Sequence, residues 1–204
     1  MGEKLNFMKT ICVTNRLLCE NDFFEQIQNI CKENIYALIL REKDLDDKTY
    51  EKFAVKCNDI CTKNSVLFFI NTKINVAKKL KIRNIQVSFK DFLNSRDILS
   101  SFDNVAVSIH SLSEALTVQK FVEETSQNIF LIAGHIFETD CKKGLQPRGI
   151  EFLKEICANV EIPVFAIGGI NEDTIKQLQG INIEGICLMS ALMKKSQSDF
   201  LDNV

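Results

Sequence analysis

Ile129-Phe130-Leu131-Ile132-Ala133-Gly134-His135-Ile136-Phe137-Glu138-Thr139-Asp140-Cys141-Lys142-Lys143-Gly144 passes abruptly from an apolar run to an imidazole, two acids, a thiol and two ammonium groups. The first five residues are too apolar to leave one face wet, as in a parallel strand covered on its outer side. Seven more runs of this kind occur, at 10–14, 35–40, 66–70, 84–87, 104–108, 164–167 and 185–189. Amphipathic segments separate them. Phe23, Phe24, Ile27, Ile30 and Cys31 follow helical spacing, as do Tyr50, Phe53, Ala54, Cys57 and Cys61. Asn171, followed by Glu172 and Asp173, predicts the N-cap of a further helix, while 89–102 is the least regular stretch. Eight strand–helix repeats in 204 residues predict a single-domain (β/α)8 TIM barrel spanning 1–204. The alternative, a doubly wound open sheet, lacks its G-x-G-x-x-G after the first strand.

Composition narrows the classes of function. The 46% apolar and 25% charged content is that of an ordinary globular chain. A net charge of -2 gives no electrostatic reason to expect nucleic acid or an anionic membrane as partner. No apolar run approaches the ~20 residues needed to span a bilayer, and the first ten residues lack the apolar core of a secretory signal. The eight cysteines, at 12, 19, 31, 57, 61, 141, 157 and 187, form no Cys-x-x-Cys pair. They read as reduced thiols packed as small hydrophobes in a cytoplasmic protein. Oligomeric state is left open.

In such a barrel the chemistry collects at the C-terminal strand ends. The second strand delivers Arg41 and Lys43, which alternate with Glu42 and so can both point inward toward an anion. A solvated rim, neutralised by Asp44, Asp46 and Asp47, is the competing account. Asn71 ends the third strand and Ser108 the fifth; the sixth delivers His135, Thr139, Lys142 and Lys143. Gly168-Gly169 and Met189-Ser190 close the seventh and eighth, where such barrels often bind phosphate through backbone N–H groups. Glycine there admits close approach of an anion, or else serves a tight turn. Of the two histidines, His110 precedes Ser111, a helix cap, and reads as structural. His135 lies inside the active face and, with an ordinary pKa near ~6.5, is suited to acid–base work. Cys141 is a candidate nucleophile but more readily a bystander, and Glu138 and Asp140 read as partners for Lys142 and Lys143.

With its continuation to Gly149, GHIFETDCKKGLQPRG resembles the signature of the TenI-type thiazole tautomerases, relatives of thiamine phosphate synthase that share its barrel. The resemblance extends to Arg41-Glu42-Lys43, Asn71, Gln86, Ser108-Ile109-His110-Ser111 and Ile167-Gly168-Gly169-Ile170, nearly the whole chain. It implies a cofactor-free proton shift that aromatises a carboxythiazole phosphate, with His135 moving the proton while Thr139 and Lys142 help hold the substrate. In the synthase, Pro follows the strand-six Gly, Gln stands two before the Arg, and Asn-Asp after strand three helps hold magnesium pyrophosphate. Here those positions read His135, Ile39 and Asn71-Thr72, with Asp91 matching the other magnesium aspartate. The expectation is therefore an isomerase without metal. Its rivals are the synthase itself and a barrel that binds thiazole phosphate without turnover.

Overall fold

The computed structural model describes residues 8–33, 35–142 and 144–194. Eight parallel strands close into a barrel in chain order: β1 (Lys9–Val13), β2 (Ala37–Leu40), β3 (Leu67–Asn71), β4 (Asn84–Ser88), β5 (Asn104–Ile109), β6 (Ile129–Gly134), β7 (Val164–Ile167) and β8 (Gly185–Leu188). β8 pairs with β1, with Ile11 opposite Cys187, and this pairing completes the ring. The (β/α)8 architecture expected from the repeats is the one found, and each strand falls within one or two residues of its apolar run.

Every strand except β4, whose Ile85 and Val87 both join the outer core, divides its apolar residues between two sides. Ile11, Val13, Ala37, Ile39, Phe69, Ala106, Phe130, Ile132, Phe165 and Cys187 fill the lumen. Their immediate neighbours, such as Cys12, Leu38, Leu40, Leu131 and Ala133, face the helices in a second, larger core. This is the two-residue period of a strand expressed on both faces of one sheet. Aromatic rings dominate the lumen floor: Phe130 lies between Phe165 (centroids 4.9 Å apart) and Phe69 (5.6 Å), with Tyr36 stacked on Phe165.

The helices begin where capping residues allow. Asp22 accepts from the N–H groups of Phe24 and Glu25 to start α1 (Phe23–Lys32), and Asp46 accepts from Thr49 N–H to start α2 (Asp47–Lys63). α3 (Ile74–Lys79) follows β3, and the irregular stretch after β4 resolves into two short helices, α4 (Phe89–Asn94) and α5 (Arg96–Leu99). Ser111 caps α6 (Leu112–Thr125) through Glu114 N–H at 3.2 Å. α7 (Gly149–Asn159) follows β6, and α8 (Ser190–Met193) follows β8.

The helix expected after β7 is different. Asn171 Oδ1 does accept from the N–H groups of Asp173 and Thr174, but only a 3-10 turn, Ile175–Leu178, follows. Gln179 is already extended and Gly180 takes a positive φ of 79°, turning the chain back toward β8. Seven cysteines are described and all are free thiols. Burial pushes those of Cys12, Cys57 and Cys187 upward, which keeps them neutral. Among the described residues no helix is long and apolar enough to cross a membrane.

Candidate active site

The lumen pattern continues upward and becomes the site. Two residues beyond Ile39 stands Arg41, and two further Lys43; beyond Phe69 is Asn71, and beyond Ala106 come Ser108 and His110. Beyond Cys187 comes Met189. All of these line one cavity of about 280 Å³ at the C-terminal mouth, together with Gln86, His135, Thr139, Lys142, Gly168, Gly169 and Ser190. Every residue expected at the site is thus on the same cavity wall. Lys143 and the Cys141 side chain lie outside the described residues.

The polar floor is a hydrogen-bonded row across three strands. Asn71 Nδ2 donates to Gln86 Oε1, and Gln86 Nε2 donates to Ser108 Oγ at 2.9 Å. Tyr50, reaching in from α2, donates its hydroxyl to the Leu40 carbonyl and accepts from Asn71 N–H at 3.3 Å, which fixes the ends of β2 and β3. These groups satisfy one another, so their buried polar atoms are stable in place.

The rim carboxylates are engaged away from the cavity. Glu42, nearly fully buried, accepts from Thr14 Oγ1 at 2.7 Å and from Arg16 N–H at 3.0 Å, while Arg16 also forks onto Asp44. Asp46 caps α2 and Asp47 pairs with Lys73. Neutralisation of Arg41 and Lys43 by these acids, the competing expectation, does not occur. The positive charges consequently act on one another. The Lys43 amine is held below its ordinary value first by the Arg41 charge and then by burial, with the Asp91 carboxylate opposing. Burial lowers that of Lys142, helped by Arg148, Arg41 and Lys43. An anion among them would relieve that repulsion.

His110 is the residue that sequence reasoning missed. Instead of merely preceding a capped helix, it lines the cavity, its Nε2 3.2 Å from Lys142 Nζ. The ammonium can only donate, so Nε2 accepts and Nδ1 carries the proton, facing Glu114 Oε2 at 3.8 Å. Counting on by twos from Ala106 and Ser108 is the signal that would have found it.

His135 lines the same cavity. It is buried, and its Nε2 lies 3.3 Å from the Leu145 carbonyl. A carbonyl only accepts, so Nε2 is the donor in this contact. Its backbone carbonyl accepts from Arg148 N–H at 2.8 Å, and the next N–H, of Ile136, donates to Ile167 O at 2.9 Å. The residue thus pins the β6 loop. The glycines beside it also serve packing. A Cβ at Gly168 would fall 2.3 Å from His135 Cβ, and one at Gly169 would fall 2.3 Å from the Glu138 carbonyl oxygen. Glycine is required there because the β6 loop packs onto the β7 turn, with positive φ at both positions, and both residues line the cavity.

A closed eight-stranded parallel barrel with a cation-lined cavity at its C-terminal mouth defines a TIM-barrel protein. The family model described as thiamine monophosphate synthase (TMP-TENI) matches residues 10–192, and the chain belongs to that family. A thiamine-phosphate synthase of Fusobacterium nucleatum is 29% identical over 203 residues, 96% of each chain. One of Clostridium tetani is 32% identical over 158 residues, 76% of this chain and 73% of the relative. A solved structure of thiamine phosphate pyrophosphorylase from Pyrococcus furiosus superposes with a TM-score of 0.80 at 24% identity, covering 96% of this chain and 93% of that one, and shows the same fold.

These relatives overturn the expected thiazole tautomerase, and with it the isomerase class. The proteins matched along the length of the chain are named synthases, although the resemblance at GHIFETDCKKG is real.

Proposed function

We propose that the chain catalyses the reaction for which its relatives are named, joining a pyrimidine pyrophosphate to a thiazole phosphate to form thiamine phosphate. The observation that carries this reading is the convergence of Arg41, Lys43 and Lys142 on one cavity while Glu42 and Asp44 pair with Arg16 instead. In the reaction a bond forms between the thiazole nitrogen and the pyrimidine methylene carbon. The carbon–oxygen bond to pyrophosphate breaks and its electron pair leaves with the pyrophosphate. The nitrogen ends quaternary and no proton has to move, so the reading places no acid–base demand on His135.

Charge develops on the departing pyrophosphate, and fixed cations aimed at it lower the barrier. We assign Arg41, Lys43 and Lys142 to that task, with Thr139 beside them on the β6 loop. Asn71, Gln86 and Ser108 form the floor that would orient the rings. Gly168, Gly169, Met189 and Ser190, on the β7 and β8 side of the same cavity, are assigned to the thiazole phosphate through backbone N–H groups.

Thr72 offers a hydroxyl to the cavity, and Asp91, bonded to the lining Ser88 at 2.7 Å and close enough to raise the Lys43 pKa, is the carboxylate that would hold a magnesium ion together with substrate phosphates. Among the described residues no group of three or more His, Cys, Asp or Glu could hold a metal ion. The test incubates the purified chain with both substrates in magnesium-containing buffer and measures thiamine phosphate and pyrophosphate by chromatography. Equal amounts of the two are expected. Binding of both substrates without product would overturn the synthase reading in favour of a barrel that only holds them.

A further inference from the structure

Lys142 ends a 3-10 turn on the β6 loop, Asp140–Lys142, and its N–H donates to the Thr139 carbonyl at 3.0 Å. Its ammonium is carried on a flexible four-carbon stem. Arg148, Arg41 and Lys43 act on that ammonium as like charges, and their repulsion favours its departure from the cavity toward water. The opposing contact comes from the neighbouring strand's end. His110, the residue after β5, accepts from Lys142 Nζ at Nε2, 3.2 Å away. The ring is itself braced: Glu114 accepts from His110 N–H at 2.6 Å and faces Nδ1 at 3.8 Å. Glu114 stands in the first turn of α6, where its own N–H donates to the cap residue Ser111, so the carboxylate is fixed by the helix start.

We propose that His110 is a positioning residue for Lys142: its neutral ring, braced by Glu114, holds the ammonium in the cavity before an anion arrives. This rests on the pyrophosphate-binding role assigned above to Lys142. An arriving anion finds the cation already in place. The rotamer freedom of one long side chain, worth about three- to tenfold in affinity, is then given up on folding and not on binding. The same geometry distinguishes His110 from a group that binds the anion itself. Its Nε2 is taken by Lys142 and its Nδ1–H faces Glu114, so the neutral ring aims no N–H at the cavity. His110 acts through Lys142.

The experiment is calorimetric titration of the full chain with inorganic pyrophosphate in magnesium-containing buffer at about pH 8, where an imidazole is neutral. The proteins are the wild type, His110→Ala, His110→Gln, Lys142→Ala and the double variant His110→Ala with Lys142→Ala. The His110 side chain is 39% exposed, so truncating it leaves the core unchanged. His110→Ala should weaken binding by about three- to tenfold. His110→Gln, whose amide oxygen accepts a hydrogen bond as Nε2 does, should recover most of that loss. On the Lys142→Ala background, His110→Ala should cost nothing further to within about twofold, because the group it acts through is gone. Wild-type affinity in His110→Ala overturns the proposal, and so does failure of His110→Gln to rescue. Additive losses overturn it too, since they would put His110 on the anion itself or in the fold at large. Thiamine phosphate formation is measured on the same wild-type protein: product alongside additive losses removes only this inference, and coupled losses without product remove only the synthase reading.

Discussion

At the floor of the barrel Phe130 packs edge to face on Phe69 and tilted against Phe165, and the three rings fill the lumen; two residues beyond Phe69 stands Asn71, on the hydrogen-bonded row that forms the base of the cavity. The same strand direction serves both regions. What changes is the neighbourhood: below, each ring is surrounded by apolar side chains, and above, each polar group finds another polar group or an anion. The floor is held by close packing, which resists any change of volume. The mouth is held by hydrogen bonds and left with unbalanced positive charge, which costs stability and favours a ligand. Two such regions should respond oppositely to mutation.

The largest expected effect separates them directly. Phe69→Ala opens a void beneath the site and should cost about 3–5 kcal/mol of unfolding free energy, with pyrophosphate affinity of the folded protein unchanged. Lys142→Ala should do the reverse, lowering kcat/KM for thiamine phosphate formation by about 10²-fold while leaving stability nearly intact. Denaturant melts and steady-state rates on the same two variants test the pair. If Lys142→Ala unfolds the chain as readily as Phe69→Ala, mouth and floor are one structural unit and the comparison breaks.

Much of this was legible in the sequence, for a physical reason. Strand side chains alternate with period two, so the eight apolar runs disclosed both the barrel and the residues at its rim, from Arg41 and Lys43 round to Met189 and Ser190. What failed depended on tertiary neighbours. His110 reads as the residue before a capped helix until Lys142 arrives from another strand's loop. The need for glycine at 168 and 169 comes from loop 135–138 lying on top of them, which no local pattern reports. His135 matched a signature, yet its ring is committed to Leu145, ten residues away.

A middle-sized prediction tests the packing at the glycines. Gly168→Ala introduces a Cβ that collides with His135 backbone and side-chain atoms, at a φ of 103°, and should cost about 1–3 kcal/mol from overpacking alone. Gly180→Ala faces open space at a φ of 79° and should cost only the left-handed backbone penalty, about 1–2 kcal/mol at most. Equal losses in thermal melts would mean that backbone conformation, and not the β6 loop, is what requires glycine at 168.

The smallest expected effect concerns His110 and the pH. Its pKa lies below the ordinary 6.5, chiefly through burial, then through the Lys142 charge, with Arg148 and His135 adding and Glu114 opposing. Folding therefore favours the neutral ring. The stability this contributes is fully present above the unfolded pKa, near 6.5, and is lost as pH falls through the lower folded value. The ring's side chain is 39% exposed, so water screens the effect and it stays small. Protonation would also turn Nε2 from acceptor to donor and remove the contact with Lys142. His110→Gln cannot titrate, so its stability relative to wild type should be constant above neutrality and should rise as the pH is lowered from 7 to 5. Denaturation midpoints of both proteins across that range decide the matter: parallel curves would show that His110 titrates as it does in the unfolded chain, and that its place beside Lys142 carries no electrostatic cost.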